Sequence, residues 1–189
     1  MDISATNVQS ILIRHSVPLD RWGKGATKPF ELLMRELEDG EAVLIETYGG
    51  KLYRLIGVVR VRVECKRGKL LRYLVEVEQR FANGSVRQRG IPHVAGKILF
   101  TESPEAAALR ELKEEIGLVE AEVIRLRNFQ TDEKSMSFPG LHTLYVNYEF
   151  LCSVPADFYQ PEGYSSVSNG TETTFRWAEE KDEHEPSDP

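Results

Sequence analysis

The stretch GKILFTESPEAAALRELKEEIGL, Gly96–Leu118, decides the fold, because it contains a helix whose two ends are both marked. Ser103 is a favourable N-cap, and Pro104 suits the first position of a helix. Gly117 is a natural residue just beyond a helix C-terminus. These signals predict a helix over residues 104–116.

The two sides of this helix differ in character. At 100° per residue, one narrow stripe is aliphatic and is expected to face the core: Leu109, Leu112 and Ile116. The other side carries Glu111, Glu114 and Glu115, whose like charges repel one another. Folding alone does not require this cluster, whereas clustered carboxylate oxygens suit Mg²⁺ or Mn²⁺. A solvated acidic face is the alternative.

The stretch resembles the Nudix box, whose pattern is G-x5-E-x7-R-E-U-x-E-E-x-G-U, with U a bulky aliphatic residue. Every fixed position is filled, by Gly96, Glu102, Arg110, Glu111, Leu112, Glu114, Glu115, Gly117 and Leu118. A looser resemblance covers about residues 57–178. The resemblance implies an α/β (α+β) fold of the Nudix type, an α/β/α sandwich around a mixed β-sheet.

The resemblance also implies an enzyme, a hydrolase acting on acid anhydrides. Its substrate would be a nucleoside diphosphate linked to another moiety, such as a nucleotide sugar, an ADP-ribose-like compound or a dinucleotide. Water activated by Mg²⁺ (or Mn²⁺) would attack a phosphorus atom of the diphosphate. Pyrophosphate hydrolysis needs its negative charge neutralised and a water deprotonated near pH 7, and a carboxylate-bound metal ion supplies both.

Catalytic roles follow from matched positions in the box. Glu114 and Glu115 would be the main metal ligands, and Glu111 would complete the metal site or act as general base. Arg110 would orient Glu111 by a charged hydrogen bond.

Three further metal-site candidates rest on the same resemblance. Glu102 would support the loop and could ligate an ion, Ala95 would offer its backbone carbonyl, and Glu172 would add an acid from the loop before the last strand. An ordinary loop acid is an equal alternative for Glu172. Many family members have Gly, Glu and Gly where this chain has Ala95, Leu99 and Thr101, a departure that bears on the substrate or the number of ions.

The flanking segments predict the strands of the sheet. Two hairpins are expected before the helix, AVLIE with LYRLIGV and VVRVRVE with LLRYLVEVEQRF. Alternation places Val59, Val61 and Val63 on one face of the second hairpin. On the return strand it places Val75 on the apolar face and Glu76 on the opposite, polar face. After the helix we expect a strand (AEVIRLRNF), a loop (TDEKSMSFPG), a long strand (LHTLYVNYEFLC), a loop over 155–171 and a short strand (TTFRWA).

Three regions are expected along the chain. Residues 1–55 form an extension with a helix and strands, in which PFELLMRELED is the helix, with Thr27 as its N-cap and Gly40 as its stop. Residues 56–178 form the Nudix hydrolase domain, and residues 179–189 form an acidic, disordered tail. The extension would form a homodimer interface or a wall of the pocket, and the sequence does not choose between them.

The charge is distributed unevenly along the 189 residues. The net charge is −6, but the last eleven residues hold six acids and one lysine. Residues 51–90 instead hold eleven bases and three acids. Arg80, Arg87 and Arg89, just upstream of the box, are candidates to contact substrate phosphates, with ordinary exposed strand ends as the alternative.

The partner and the location follow from the same features. A small-molecule nucleotide is favoured over nucleic acid. Two alternatives stay open: a Nudix-fold sensor that binds a nucleotide without turnover, and a hydrolase of RNA 5′ ends. The N-terminus lacks a basic segment before an apolar run, no apolar stretch is long enough for a membrane helix, and Cys65 and Cys152 lack paired spacing. We therefore expect a cytoplasmic protein with no membrane association.

Overall fold

A computed structural model describes residues 4–168 and 170–179. Within them lie three α-helices, α1 (Ala5–Arg14), α2 (Phe30–Glu38) and α3 (Pro104–Ile116), and a 3-10 helix at Leu19–Arg21. The strands are β1 (Val43–Glu46), β2 (Leu52–Arg67), β3 (Leu70–Phe81), β4 (Val86–Ile91), β5 (Val94–Ile98), β6 (Ile124–Lys134), β7 (His142–Val154), β8 (Tyr164–Ser168) and β9 (Thr171–Glu179). Except for Glu179, the predicted acidic tail lies outside the described residues. The fold class is α+β with a mixed sheet, as predicted.

The chain divides into two compact units. The first comprises residues up to 59, 97–107 and 127–148, and the second comprises 60–96, 108–126 and the residues from 149 onward. The predicted boundaries at residues 55 and 178 stay a prediction. None of the helices in the described ranges is both long and apolar enough to cross a membrane.

The first unit contains β1, which pairs antiparallel with the start of β2, from Val43 opposite Leu55 to Glu46 opposite Leu52. This pairing confirms the first predicted hairpin. The helices α1 and α2 bury their apolar residues in one core with β1 and β2, and this core includes Val8, Leu12, Leu33, Leu37, Leu44, Ile56 and Phe138. Removal of this apolar surface from water, at roughly 25 cal/mol per Å², is the main force that holds the N-terminal helices in place.

The second unit contains the hairpin of β2 and β3, with Glu64 opposite Tyr73 and Arg67 opposite Leu70. β9 pairs antiparallel with β3, β8 pairs with β9, and β4 pairs with β3. The prediction for β2 is confirmed, because Val61 and Val63 are fully buried.

The prediction for β3 is wrong at Val75 and Glu76, whose burial is the reverse of the expected alternation. Leu74 and Glu76 are the buried residues of this strand, whereas Val75 is only half-buried. The carboxylate of Glu76 accepts a hydrogen bond at 2.9 Å from Arg89 on β4. A charged partner therefore stabilises a residue that alternation alone had assigned to solvent.

Several boundaries also differ from the predicted ones. α1 forms where no element is predicted, and α2 begins after Pro29, while the Thr27 hydroxyl donates instead to the carbonyls of Arg21 and Lys24. The first strand after α3 continues to Lys134, into the predicted loop. A strand, β8, forms within the loop predicted over 155–171, and β9 is longer than TTFRWA at both ends.

A buried ionic cluster lies beneath α2 in the first unit. Glu36, which is 6% exposed, lies 3.1 Å from Arg54, 3.0 Å from Lys28 and 3.2 Å from Lys97. Lys97 also pairs with Glu41. Burial by itself would raise the pKa of Glu36, but the positive charges of Arg54, Lys97 and Lys28 together hold that pKa below its usual value.

Replacement of Glu36 by Gln should lower the free energy of unfolding by roughly 3 kcal/mol at pH 7, because it removes the charged partner of the buried Arg54 guanidinium. The lowered pKa means that the carboxylate stabilises the fold above its unfolded-state pKa and that this contribution is lost as the pH falls through the lower, folded-state pKa. The difference between wild type and Glu36→Gln in guanidinium unfolding should therefore shrink from pH 7 towards pH 3. The exposed Glu38→Gln, on the same helix, is the control and should change stability little; equal effects of the two substitutions would contradict the assignment.

Candidate active site

The helix α3 begins and ends where the sequence predicts. The Ser103 hydroxyl accepts a hydrogen bond at 3.1 Å from the N–H of Ala106, as an N-cap does. Beyond the helix, Gly117 has a φ of +72°, and the N–H of Leu118 donates to the carbonyl of Leu112 at 3.2 Å. This closing turn requires a glycine, and it fixes the last turn of the helix.

The buried side of α3 differs in part from the predicted stripe. Leu112 and Ile116 are buried, but Leu109 is 38% exposed. Ala107 and Ala108 fill the buried side instead. Compared with the predicted stripe, the buried face of α3 thus lies closer to the side that carries Glu111.

Glu111 is the central residue of the site, and it is 7% exposed. Its carboxyl group lies against the backbone of Gly96 on β5, so closely that a Cβ atom built on Gly96 would overlap it. Any residue with a Cβ atom at this position would displace the carboxyl group. Glu111 is therefore not part of a solvated acidic face, whereas Glu114 is exposed and Glu115 is half-buried.

Arg110 connects two of the glutamates. Its Nη1 atom lies 2.7 Å from Oε1 of Glu111 and 3.2 Å from Oε2 of Glu114. The side chain of Glu114 is 58% exposed, so its interaction with Arg110 contributes little stability by itself. The pair with the buried Glu111 is the stronger of the two, and it orients that carboxylate.

Glu115 belongs to a second group that sequence reasoning missed. Its carboxylate accepts a hydrogen bond from the Ser166 hydroxyl on β8. The negative charge of Glu76 on β3 acts on the same carboxylate, and Glu76 itself pairs with Arg89. The sequence shows Glu76 only as an acidic residue in a strand expected to be half-buried. The structure is needed to show that its side chain points inward.

Burial raises the pKa of Glu111, although Arg110 acts in the opposite direction. Burial also raises the pKa of Glu115, with Ser166 lowering it and Glu76 and Glu114 raising it further. Two acids on one side of a helix thus have their ionised forms disfavoured. A bound cation would relieve both effects.

The remaining metal-site candidates lie at different places in the chain. In the first unit, Oε1 of Glu102 accepts a hydrogen bond from the N–H of Leu99 at 2.9 Å, and the N–H of Glu102 donates to the carbonyl of Leu99 at 3.1 Å. Ala95 precedes Gly96 on β5. The expected loop position of Glu172 is wrong, because this exposed residue lies within β9, opposite Arg80 and Val167.

The three candidate phosphate-binding arginines lie on β3 and β4, and two of them have acidic partners. Arg80 pairs with Glu78 at 3.1 Å, and Arg89 pairs with Glu76 at 2.9 Å. Arg87 is exposed. Nearby, burial and the charge of Arg60 lower the pKa of His93 to about 4, so this imidazole is neutral at pH 7.

The donor set fits a hard divalent cation in its chemistry. The ligating atoms on offer are carboxylate oxygens, which Mg²⁺ and Mn²⁺ prefer. Across residues 4–168 and 170–179, however, no three His, Cys, Asp or Glu side chains are grouped closely enough to hold a metal ion. Glu111 and Glu114 both contact Arg110 instead.

The family model described as the NUDIX domain matches residues 65–186, more than half of the chain. Curated proteins give no match.

Solved structures give distant similarities. The NUDIX domain of Shewanella oneidensis NrtR, complexed with ADP ribose, is 17% identical, with a TM-score of 0.42 over 65% of this chain and 71% of that one. A MutT/nudix family protein from Enterococcus faecalis is 15% identical, with a TM-score of 0.46 over 91% of this chain and 55% of that one. The C. elegans Ap4A hydrolase is 13% identical, with a TM-score of 0.37 over 64% of this chain and 80% of that one.

The contact between Gly96 and Glu111 can be tested with a double-mutant cycle. Gly96→Ala should destabilise the protein by about 1–3 kcal/mol, because the new methyl group displaces the Glu111 carboxyl group. In a Glu111→Ala background, the same substitution should cost at least about 1 kcal/mol less, as measured by urea unfolding. Gly49→Ala is the control, since its Cβ would meet only a Thr47 oxygen at 3.9 Å. Strict additivity of Gly96→Ala and Glu111→Ala would argue against the contact.

Proposed function

The chain belongs to the Nudix family, and we propose that it is a divalent-cation-dependent hydrolase of a nucleoside diphosphate linked to another moiety. The observation that carries this proposal is the burial of Glu111 against the backbone of Gly96. Burial of this carboxylate raises its pKa, and groups with such shifts are concentrated at functional sites.

Glu111, Glu114 and Glu115 would hold Mg²⁺ or Mn²⁺, and the Ala95 carbonyl, Glu102 and Glu172 are proposed as further ligands. When bound, the cation would neutralise the diphosphate and lower the pKa of a water molecule. Oε2 of Glu114 lies 3.2 Å from Arg110, so a cation at Glu114 would share this carboxylate with Arg110 or displace the arginine.

The other side chains of the site position Glu111 and Glu115. Arg110 holds Glu111 by a charged hydrogen bond, which keeps the carboxylate directed along one side of α3. Ser166 holds Glu115 in the same way. With its orientation fixed and its pKa raised by burial, Glu111 is suited to accept a proton from water near neutral pH.

The substrate class follows from the charge of the reacting group. A diphosphate carries several negative charges, and Arg87 on β4 is the exposed arginine proposed to bind it. Arg80 and Arg89 would contribute after exchanging a carboxylate partner for a phosphate. A cytoplasmic location stays part of this proposal, and so does the N-terminal extension as either a homodimer interface or a wall of the pocket.

The experiment is an assay of nucleotide release from ADP-ribose, a dinucleotide and a nucleotide sugar, each with Mg²⁺, with Mn²⁺ or with EDTA. Hydrolysis should require the cation. Glu114→Gln and Glu115→Gln should each lower kcat at least about 100-fold, because loss of a metal ligand removes several kcal/mol of transition-state stabilisation.

Glu120→Gln is the matched control, because Glu120 is an exposed acid just beyond α3. It should leave kcat within about twofold, as expected for an exposed position outside the site. Unchanged turnover in Glu114→Gln would overturn the metal role. Tight nucleotide binding without turnover in both Mg²⁺ and Mn²⁺ would overturn the hydrolase and favour a sensor.

A further inference from the structure

We infer that the tip of the β2–β3 hairpin forms a second binding surface, for single-stranded nucleic acid. This surface, called the hairpin-tip surface, consists of Lys66, Arg67, Lys69, Arg72 and Tyr159. It lies entirely within the second unit. The inference does not depend on the proposed hydrolysis.

The first observation is a concentration of positive charge at the turn. Lys66, Arg67 and Lys69 are all exposed, and within the described part of the chain none of them forms an ion pair with an acidic side chain. Arg72, by contrast, pairs with Glu179 at 2.6 Å. Three cations within four residues, with no acidic partner among the described side chains, create a local positive potential on a protein whose net charge is −6.

The second observation is the aromatic ring beside these charges. The Arg67 guanidinium lies over the Tyr159 ring at 4.6 Å, and that of Arg72 lies 5.4 Å from the same ring. Trp177 on β9 supports Tyr159 from within the unit, with ring centroids 5.4 Å apart. Arg67 is therefore held by cation–π attraction in a defined place, although it is exposed.

These two observations together point to nucleic acid rather than to another polyanion. An exposed guanidinium plane held on an aromatic ring offers a flat surface on which an unstacked base can lie. The two lysines beside it suit the phosphates of the same strand. An acidic protein segment or a phospholipid surface would use the charges but would have no need of the ring.

The hairpin-tip surface is separate from the glutamate helix. Glu76, whose charge acts on Glu115, is six residues along β3 from Leu70 at the tip. At about 3.4 Å per residue, this corresponds to about 20 Å. A strand bound at the tip is therefore held by groups that take no part in the proposed catalytic site.

The test is fluorescence anisotropy with a labelled oligouridine RNA and the full chain in EDTA, across a range of KCl concentrations. Combined replacement of Lys66, Arg67 and Lys69 by Ser should weaken binding at least about tenfold. The slope of log K against log salt should decrease in magnitude by about 1.4, for the two phosphate contacts of the lysines at about 0.7 each. Combined replacement of Arg21, Lys24 and Lys134 by Ser removes the same charge elsewhere and is the control.

The ring is tested separately from the charge. Arg67→Lys keeps the charge but loses the planar group, and Tyr159→Leu removes the platform; each should weaken binding about fivefold or more with an unchanged salt slope. Circular dichroism and thermal unfolding check that the variants are folded. The proposal is overturned if wild type does not bind RNA at low salt, or if the control triple variant loses as much affinity as the hairpin-tip triple variant. It is also overturned if polyglutamate or phosphatidylserine vesicles compete as well as unlabelled RNA does and Arg67→Lys has no effect on RNA binding.

Discussion

The close contact between the Gly96 backbone and the Glu111 carboxyl group is the constraint on which the site depends. It places a strand residue without a side chain against the middle of α3, and no other residue type leaves room for the carboxyl group. Because Glu111 is thereby buried, its charge must be compensated, and Arg110 does so from the neighbouring helix position. The side of α3 that faces the core follows from the same contact.

The cost of these buried charges is distributed over the second unit. Glu111 depends on Arg110 beside it in the helix, whereas Glu115 depends on Ser166 and Glu76 on Arg89, which come from other strands. Such pairs are expensive to leave incomplete and contribute little net stability when complete. Their arrangement is therefore better explained by a function in charge chemistry than by folding.

The features that depend on local signals could be predicted from the sequence. The caps of α3, the hairpin of β2 and β3 and the nine fixed positions of the box lie in short, well-marked stretches. The inward direction of Glu76 was not predictable, because it depends on Arg89 from another strand. β8 and the end of β6 are polar segments whose strand character comes from neighbouring strands, and the bonds of Thr27 to nearby carbonyls outweigh its capping propensity.

The ionic cluster around Glu36 links the N-terminal segment to Lys97 of the box. Lys97, the residue after the first glycine of the box, pairs with Glu36 and Glu41, which both lie upstream of residue 55. A chain shortened to its family core would therefore lose these two carboxylate partners of a half-buried ammonium group. The extension is in this sense a structural part of the box itself, and positions 36 and 97 are expected to vary together among related sequences.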